Sequence, residues 1–254
     1  MRLISPTHVA IALACALAVP GAGARAASQL AATGWSTSAE LGAIATSGNT
    51  TGASISGKID ARQELENWSN EYILSAYLKE DEHTQGDGES VRQRSAERIS
   101  ASVKTAYRLL EDGKKLFALG THVEDRFGAY TEYNTMAVGH STRLYKAHGN
   151  LVEVELGPGY FSGTRAAGPT ESGFTLRGAA ALRWQVSDSA LFSQTASVER
   201  GTSNVHSSAE AALSTRINGT MQMKAAFVAR NDSSVPEGKK NTDTQTSLTL
   251  IYSF

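Results

Sequence analysis

Two short groupings in this 254-residue chain have residue types at spacings that chemistry could use. In His206-Ser207-Ser208 a base sits two residues from a hydroxyl, so on an extended strand both side chains leave the same face. A serine becomes a nucleophile when a histidine takes its proton and a third group orients that histidine. Residue spacing offers no orienting Asn or Asp here, so the triad stays incomplete. His122 and Glu124 are also two apart, with Arg126 following on the same face. A metal site or acid–base pair there would need a third group from another strand, and an ion-pair network accounts for the same residues. The acidic stretch from Asp81 and Glu82 to Asp87 and Glu89 lacks the ligand spacing of a calcium loop. The chain is therefore read with no catalytic, cofactor-binding or metal-ligating residue, and as no enzyme.

What must position these residues is a set of strands. In 246–254, Thr246, Leu248, Leu250, Tyr252 and Phe254 share one face, and Ser247, Thr249, Ile251 and Ser253 the other. In 51–62, Ala53, Ile55, Gly57, Ile59 and Ala61 oppose Lys58, Asp60 and Arg62. In 174–186, Phe174, Leu176, Ala180, Leu182, Trp184 and Val186 oppose Arg177, Arg183 and Gln185. Period-two alternation means strands with one apolar and one polar face. These runs last about 10 to 14 residues, longer than the 5 to 6 usual in soluble sheets and close to what a tilted membrane strand needs.

Twelve strands are expected, near 35–46, 51–62, 68–79, 94–108, 115–126, 134–145, 151–161, 173–186, 190–200, 207–217, 220–230 and 243–254; ten is the alternative count. Short turns fall around Leu65, Asp112-Gly113, His148-Gly149, Asp188 and Asn218-Gly219, where the Asp-Gly and Asn-Gly pairs tolerate positive φ. The other connections read as longer and more polar: Asp81–Arg92, Phe127–Tyr133, Ser162–Ser172 and Asn231–Thr242, with a short exception at Ser47-Gly48-Asn49-Thr50. Short turns on one side and longer loops on the other are the habit of outer-membrane barrels. The fold class is thus all-β, a transmembrane antiparallel up-and-down barrel closed by pairing the first strand with the last.

The bulk properties agree. Residues 1–26 read as a cleaved targeting segment: Arg2, then the apolar run Val9 to Val19, then Pro20-Gly21 and the small-residue site Ala24-Arg25-Ala26. Eleven apolar residues are too few for a spanning helix. Cys15, the only cysteine, falls inside this segment, so the mature chain 27–254 has neither a disulfide nor a thiolate metal site. Cleavage removes Arg2 and Arg25, leaving 22 basic against 25 acidic residues, a net charge of −3 that argues against nucleic acid as a partner.

Four segments carry a family resemblance: Ser47-Gly48-Asn49-Thr50, Leu156-Gly157-Pro158-Gly159-Tyr160, Trp184-Gln185-Val186-Ser187-Asp188, and Thr242-Asp243-Thr244 with Leu250-Ile251-Tyr252-Ser253-Phe254. In this order they resemble the YdiY-like family, described as salt-induced outer-membrane proteins of otherwise unknown function. The likeness covers roughly 35–254. It implies an outer-membrane barrel and a link to salt or osmotic stress, and brings no catalytic residues. A second, class-level likeness lies in the final aromatic. Leu248, Leu250, Tyr252 and Phe254 match the terminal strand that the barrel-assembly machinery reads in such proteins.

With strand parity set by these runs, the inward positions are Lys58, Asp60, Arg62, Glu71, Arg98, Lys104, Arg108, His122, Glu124, Arg126, Arg143, Glu153, Glu155, Arg177, Arg183, Glu210, Arg216 and Lys224. A water-filled lumen lined this way would conduct small solutes; side chains paired across it would close it. His140 shares a face with Met136, Val138 and Leu144 and so points to lipid. Trp35, Trp68, Tyr72 and Tyr252 lie at strand ends, where interfacial girdles form. The expected role is a non-enzymatic outer-membrane protein, structural or a narrow passive pore, touching lipid and lipopolysaccharide. Two alternatives remain: a lipid-modifying hydrolase, which some outer-membrane barrels build from His and Ser two apart on a strand's outer face, and a soluble periplasmic β-protein.

Overall fold

The structure, a computed structural model, describes residues 34–46, 52–84, 90–166, 168–202, 204–235 and 240–254. Residues 1–26, where a targeting segment is expected, and the Ser47–Thr50 motif lie outside them. Twelve strands follow one another: β1 Gly34–Thr46, β2 Gly52–Glu64, β3 Trp68–Thr84, β4 Ser90–Arg108, β5 Lys114–Asp125, β6 Tyr130–Ala147, β7 Asn150–Arg165, β8 Thr170–Gln185, β9 Ala190–Arg200, β10 Val205–Arg216, β11 Met221–Asp232 and β12 Thr242–Ser253. Each pairs antiparallel with its sequence neighbours, and β1 pairs with β12 to close the barrel. The count is the expected twelve. A 12-residue strand rising about 3.3 Å per residue and tilted about 45° covers roughly 28 Å, the height of a bilayer's hydrocarbon core.

Alternation works as expected on most strands. Leu41, Ile55, Ile59, Leu74, Val103, Val138, Leu156, Leu176, Met223, Leu248 and Leu250 all lie exposed on the outside. In water this would be a costly apolar surface; around a barrel it is the lipid-facing belt. One rim carries an aromatic girdle: Trp35 stacks on Tyr72 at 5.8 Å, Trp68 meets Tyr107 edge-on at 5.0 Å, and Tyr252 lies 5.9 Å from Phe254. This rim holds the short turns and both strand termini and corresponds to the periplasmic side. At the other end Tyr160 and Phe174 form an edge-to-face pair at 5.7 Å.

The periplasmic turns use the backbone in three ways. His148 and Gly149 both have positive φ, 51° and 82°, so this two-residue hairpin has the twist of a type I′ turn. At Asp112-Gly113 only the glycine is positive, at 80°. Asn218-Gly219 needs no positive φ at all. Its Asn218 Oδ1 instead accepts hydrogen bonds from the backbone N–H groups of Thr220 and Met221, both at 2.9 Å.

On the outer side the expected long loops shrink. Asp81–Thr84, Ser90–Arg92, Tyr130–Tyr133, Ser162–Arg165 and Thr170–Ser172 are all strand. Polar composition reads as loop, yet here the β3–β4 and β6–β7–β8 hairpins continue past the apolar belt as polar, mutually paired ladders. Lys79 meets Asp81 at 2.9 Å and Arg92 meets Glu82 at 3.7 Å on this extension, so the acidic stretch there is an ion-paired hairpin. Between Asn231 and Thr242, β11 ends at Asp232 and β12 begins at Thr242.

Two ladders are interrupted. Between β6 and β7 pairing stops between Ala137↔Gly159 and His140↔Leu156, while β7–β8 pairing runs straight through Pro158↔Leu176. Proline has no N–H to donate, and its gap faces β6. Gly139 and Gly157 close the gap by backbone contact: a Cβ on Gly157 would lie 2.0 Å from the Val138 carbonyl oxygen. The second interruption is the closing seam. β1 pairs with β12 from Ser38↔Ser253 to Gly42↔Thr249, and Thr37 and Phe254 add one reciprocal pair of backbone bonds, whereas β1 and β2 pair along their whole length.

The Gly157 contact predicts that Gly157→Ala forces β6 and β7 apart and destabilises the barrel by about 1–3 kcal/mol. The check is a lower urea midpoint for the folded protein in detergent micelles, with Gly120→Ala, where a Cβ meets nothing within 4 Å, as the unshifted reference.

Candidate functional site

The barrel interior holds the chemistry. Its periplasmic half is a cavity of about 850 Å³. Seven basic side chains line it (Lys58, Arg62, Lys104, Lys115, Arg177, Arg183 and Lys224) and seven acidic ones (Glu40, Asp60, Glu64, Glu71, Glu153, Glu155 and Glu210). The strands deliver them two by two, because alternate residues on neighbouring strands point inward at matching heights. Glu40 on β1 accepts from Lys224 on β11 at 3.1 Å and stands 3.8 Å from Lys58 on β2. Lys224 also reaches Glu210 at 3.1 Å. Arg62 joins Asp60 at 3.0 Å and Glu71 at 2.6 Å. Lys115 meets Glu153 at 3.3 Å, and Lys104 pairs with Glu155. Arg108 pairs with Glu64 at the rim.

Above this chamber the interior changes character. Val123, Tyr130 and Thr135 are buried on the inner wall toward the outer ends of β5 and β6, and Phe117 and Ala137 continue that buried wall down to the level of Ala106 and Lys104 in the chamber. Lys104 lies over the Phe117 ring, its ammonium 5.3 Å from the ring centre. Tyr130, Tyr133 and Phe161 pack ring to ring at 5.1 to 6.4 Å, and His206 comes within 5.9 Å of Tyr133. Arg98 threads this cluster, donating to Asp125 at 2.6 Å and to the Tyr133 hydroxyl at 2.9 Å. A second cavity of about 60 Å³ lies here, lined by these rings with Glu171, Thr175, Glu199, Asn204, His206 and Asp232. Arg177 and Glu199, joined at 2.8 Å, stand between the two cavities: the first lines the lower, the second the upper.

Most expected inward residues are where parity puts them. Lys58, Asp60, Arg62, Glu71, Lys104, Glu153, Glu155, Arg177, Arg183, Glu210 and Lys224 line the lower cavity, and Arg98 belongs to the cluster above. Arg143 lies opposite Glu153 but sends its guanidinium to Asp112 in the β5 turn, at 3.4 Å. Arg216 is exposed at the periplasmic end of β10.

β5 corrects three positions. His122 and Glu124 point outward near the outer rim, where His122 Nδ1 lies 2.8 Å from Asn134 Oδ1 and Nε2 lies 3.5 Å from Glu124; Arg126 lies beyond the strand, exposed. Both faces of β5 are apolar, Leu116 and Ala118 on one and Phe117, Leu119 and Val123 on the other. Period two alone therefore fixes no direction. Register with β4 does: Arg98 is opposite Asp125, so the odd residues face inward. Glu40, Lys115, Glu199 and Arg230 were missed. Glu40 stands alone in a small-residue strand; its parity with Ser36 and Ser38 was the available signal.

His140 does face outward. Its Nδ1 lies 3.0 Å from Thr142 Oγ1, and it pairs across strands with Leu116, the third residue of β5 after the periplasmic turn, which puts it near the headgroups. The hydrogen bond from Lys114 holds the exposed Glu111 carboxyl below its ordinary value.

The serine–histidine pair is also relocated. His206 and Ser208 face the lumen: the first lines the upper cavity and the second the lower. Asp232 of β11, beyond reach of any spacing argument, lies 3.0 Å from His206 Nδ1 and accepts from Asn204 at 2.8 Å. An orienting acid is thus present, with no hydrogen bond between His206 and Ser208 among the described contacts. Among the described residues no three His, Cys, Asp or Glu side chains converge as metal ligands.

Comparisons with known proteins agree with this architecture. A family model described as a protein of unknown function, DUF481, matches residues 39–254. An uncharacterised Escherichia coli K12 protein, YdiY, is 30% identical over 164 residues, which cover 63% of this chain and 64% of that protein, a little under two thirds of its length. Among solved structures, an outer-membrane channel from Pseudomonas putida F1 superposes with a TM-score of 0.54 at 9% identity, covering 87% of this chain and 96% of the channel. The NanC porin gives 0.53 at 6% identity, covering 86% and 98%. These likenesses establish the fold of a membrane barrel.

The lumen geometry makes Glu40 the carboxylate shared by two lysines. Glu40→Gln is expected to lower stability by about 1–2 kcal/mol, a modest amount because lumen water screens the freed charges. Urea midpoints in micelles read this, and Glu124→Gln on the outer face should stay within about 0.5 kcal/mol of the parent.

Proposed function

The chain belongs to the DUF481 family, whose proteins are of unknown function, and from that premise we propose that it is a non-enzymatic outer-membrane protein. It is a periplasm-facing chamber narrowed in its outer half to a small passive pore. The observation that carries this reading is the lumen itself. Seven cations and seven anions line the lower cavity, nearly all of them bonded to one another, and a ring cluster crossed by Arg98 fills the space above. Paired charges hold their water weakly and offer little field to a passing ion, so conduction is small and only weakly selective. The family resemblance supports a tie to salt or osmotic stress, and a pore of this width suits a slow exchange of small solutes.

The surroundings follow from the same reading. The belt from Leu41 to Leu250 contacts lipid, the extended outer hairpins meet lipopolysaccharide, and a targeting segment at 1–26 delivers the chain to the periplasm. The final strand, with Leu248, Leu250, Tyr252 and Phe254 on its outer face, presents the signal that assembly machinery reads. Deleting Phe254 is expected to reduce the fraction of chain recovered from outer membranes in heat-shifting, folded form. Normal insertion of the shortened chain would remove that role.

Planar bilayers test the pore. The parent protein should give small, poorly selective current steps, and Tyr133→Ala, which opens the ring cluster, should enlarge them. Current indistinguishable from leak for both proteins would leave a closed, structural barrel.

A further inference from the structure

Charge pairing in the lower cavity is complete for the acids and incomplete for the bases. Glu40, Asp60, Glu64, Glu71, Glu153, Glu155 and Glu210 each have a cationic partner. Of the seven cations, six have a carboxylate. Arg183 has none within ion-pair distance among the described residues. Its cross-strand partners explain why: Leu151 on β7 and Ser193 on β9 carry no charge. Asp60 and Glu71, which line the same cavity, are already bonded to Arg62. The Arg183 side chain stands exposed in the cavity at its periplasmic end.

The wall above Arg183 is shaped for a guest. Inward from it run Ala181 and Ala179 on β8, flanked by Ser193, Thr195 and Ser197 on β9, all lining the cavity. On the β7 side Glu153 and Glu155 stand opposite the two alanines, held by Lys115 and Lys104. The small side chains leave the space beside them open, and the β9 side offers hydroxyls rather than charges. The stretch ends at Arg177, whose Nη1 is committed to Glu199 at 2.8 Å and whose buried Nε has no partner. A buried guanidinium N–H without an acceptor is costly and uncommon. One unbalanced guanidinium and one unsatisfied guanidinium donor therefore bracket about 20 Å of small, hydroxyl-bearing wall, six residues along a single strand.

We propose that this β8–β9 wall is a binding site for a carboxylate- or phosphate-bearing solute entering from the periplasm. Arg183 holds the anionic group through its planar fork, the geometry that suits both oxyanions. The hydroxyls of Ser193 and Thr195 donate to the body of the solute, and Arg177 Nε takes a second acceptor at the far end. The site stands whether or not the barrel conducts, because its entrance is on the chamber side.

Isothermal titration calorimetry on the detergent-solubilised full chain tests it at low, constant ionic strength, with inorganic phosphate in one arm and succinate in the other. Binding is expected for at least one probe, and the responding arm identifies the chemistry. Arg183→Gln should weaken it by about tenfold or more, as expected for loss of a charge-assisted fork. Arg183→Lys, keeping charge without the fork, should fall between, and Arg216→Gln at the rim should bind like the parent. Heat-shifted gel mobility confirms that each variant is folded. No heat for either probe with the parent protein, or equal affinity in folded Arg183→Gln, would overturn the site. Bilayer currents do not enter this test, so its failure is distinct from failure of the pore.

Discussion

Inside a bilayer no water is available to satisfy a backbone N–H or C=O, and each one left unpaired costs several kcal/mol. Every feature of this molecule is downstream of that constraint. Twelve strands, each bonded to two neighbours, leave no edge once β1 meets β12. The alternation that this pairing enforces then sorts the sequence into a belt for lipid and an interior for everything else. The polar interior is therefore imposed by closure, before any question of function arises.

Within that interior, charge placement follows register. Arg177 meets Glu199, and Arg98 meets Asp125, because those residues are opposite one another across a hairpin. Glu40 reaches Lys224 two strands away, across β12. The network ties β1, β2, β10 and β11 together at the point where the barrel closes. Where β5 and β6 supply aromatic and aliphatic side chains instead, the inner wall is dry and tightly packed. One lumen thus contains a wet, ion-paired half and a narrower half in which aromatic rings pack around a few ion pairs.

Much of this was legible in residue order. Strands as long as 246–254 and 174–186 announce both their period and their direction, since one face is apolar and the other is not. β5 shows where legibility ends. With Phe117 and Leu119 on one side and Leu116 and Ala118 on the other, its orientation is set by pairing with β4, which no local pattern contains. The outer hairpins failed for a related reason. Polar strands beyond the membrane have the composition of loops, and cross-strand partners such as Arg94 with Glu80 and Arg92 with Glu82 keep them extended. Asp232 reached His206 through the β10–β11 register, twenty-six residues away. The Leu156–Tyr160 segment was visible as a motif, but its meaning, two glycines letting backbones touch beside a proline, is three-dimensional.

The short ladder between β1 and β12 has a consequence in time. Joining Ser38 to Ser253 closes a loop of more than two hundred residues, which costs about 5 kcal/mol of chain entropy. Every other hairpin joins residues that are already near one another. Six paired positions, counting the reciprocal backbone bonds of Thr37 and Phe254, must offset that cost before the barrel closes. Until it forms, β1 is an edge, and in lipid an edge cannot wait unpaired. The order of the chain thus demands a temporary strand partner for the open edge while the other strands enter the membrane.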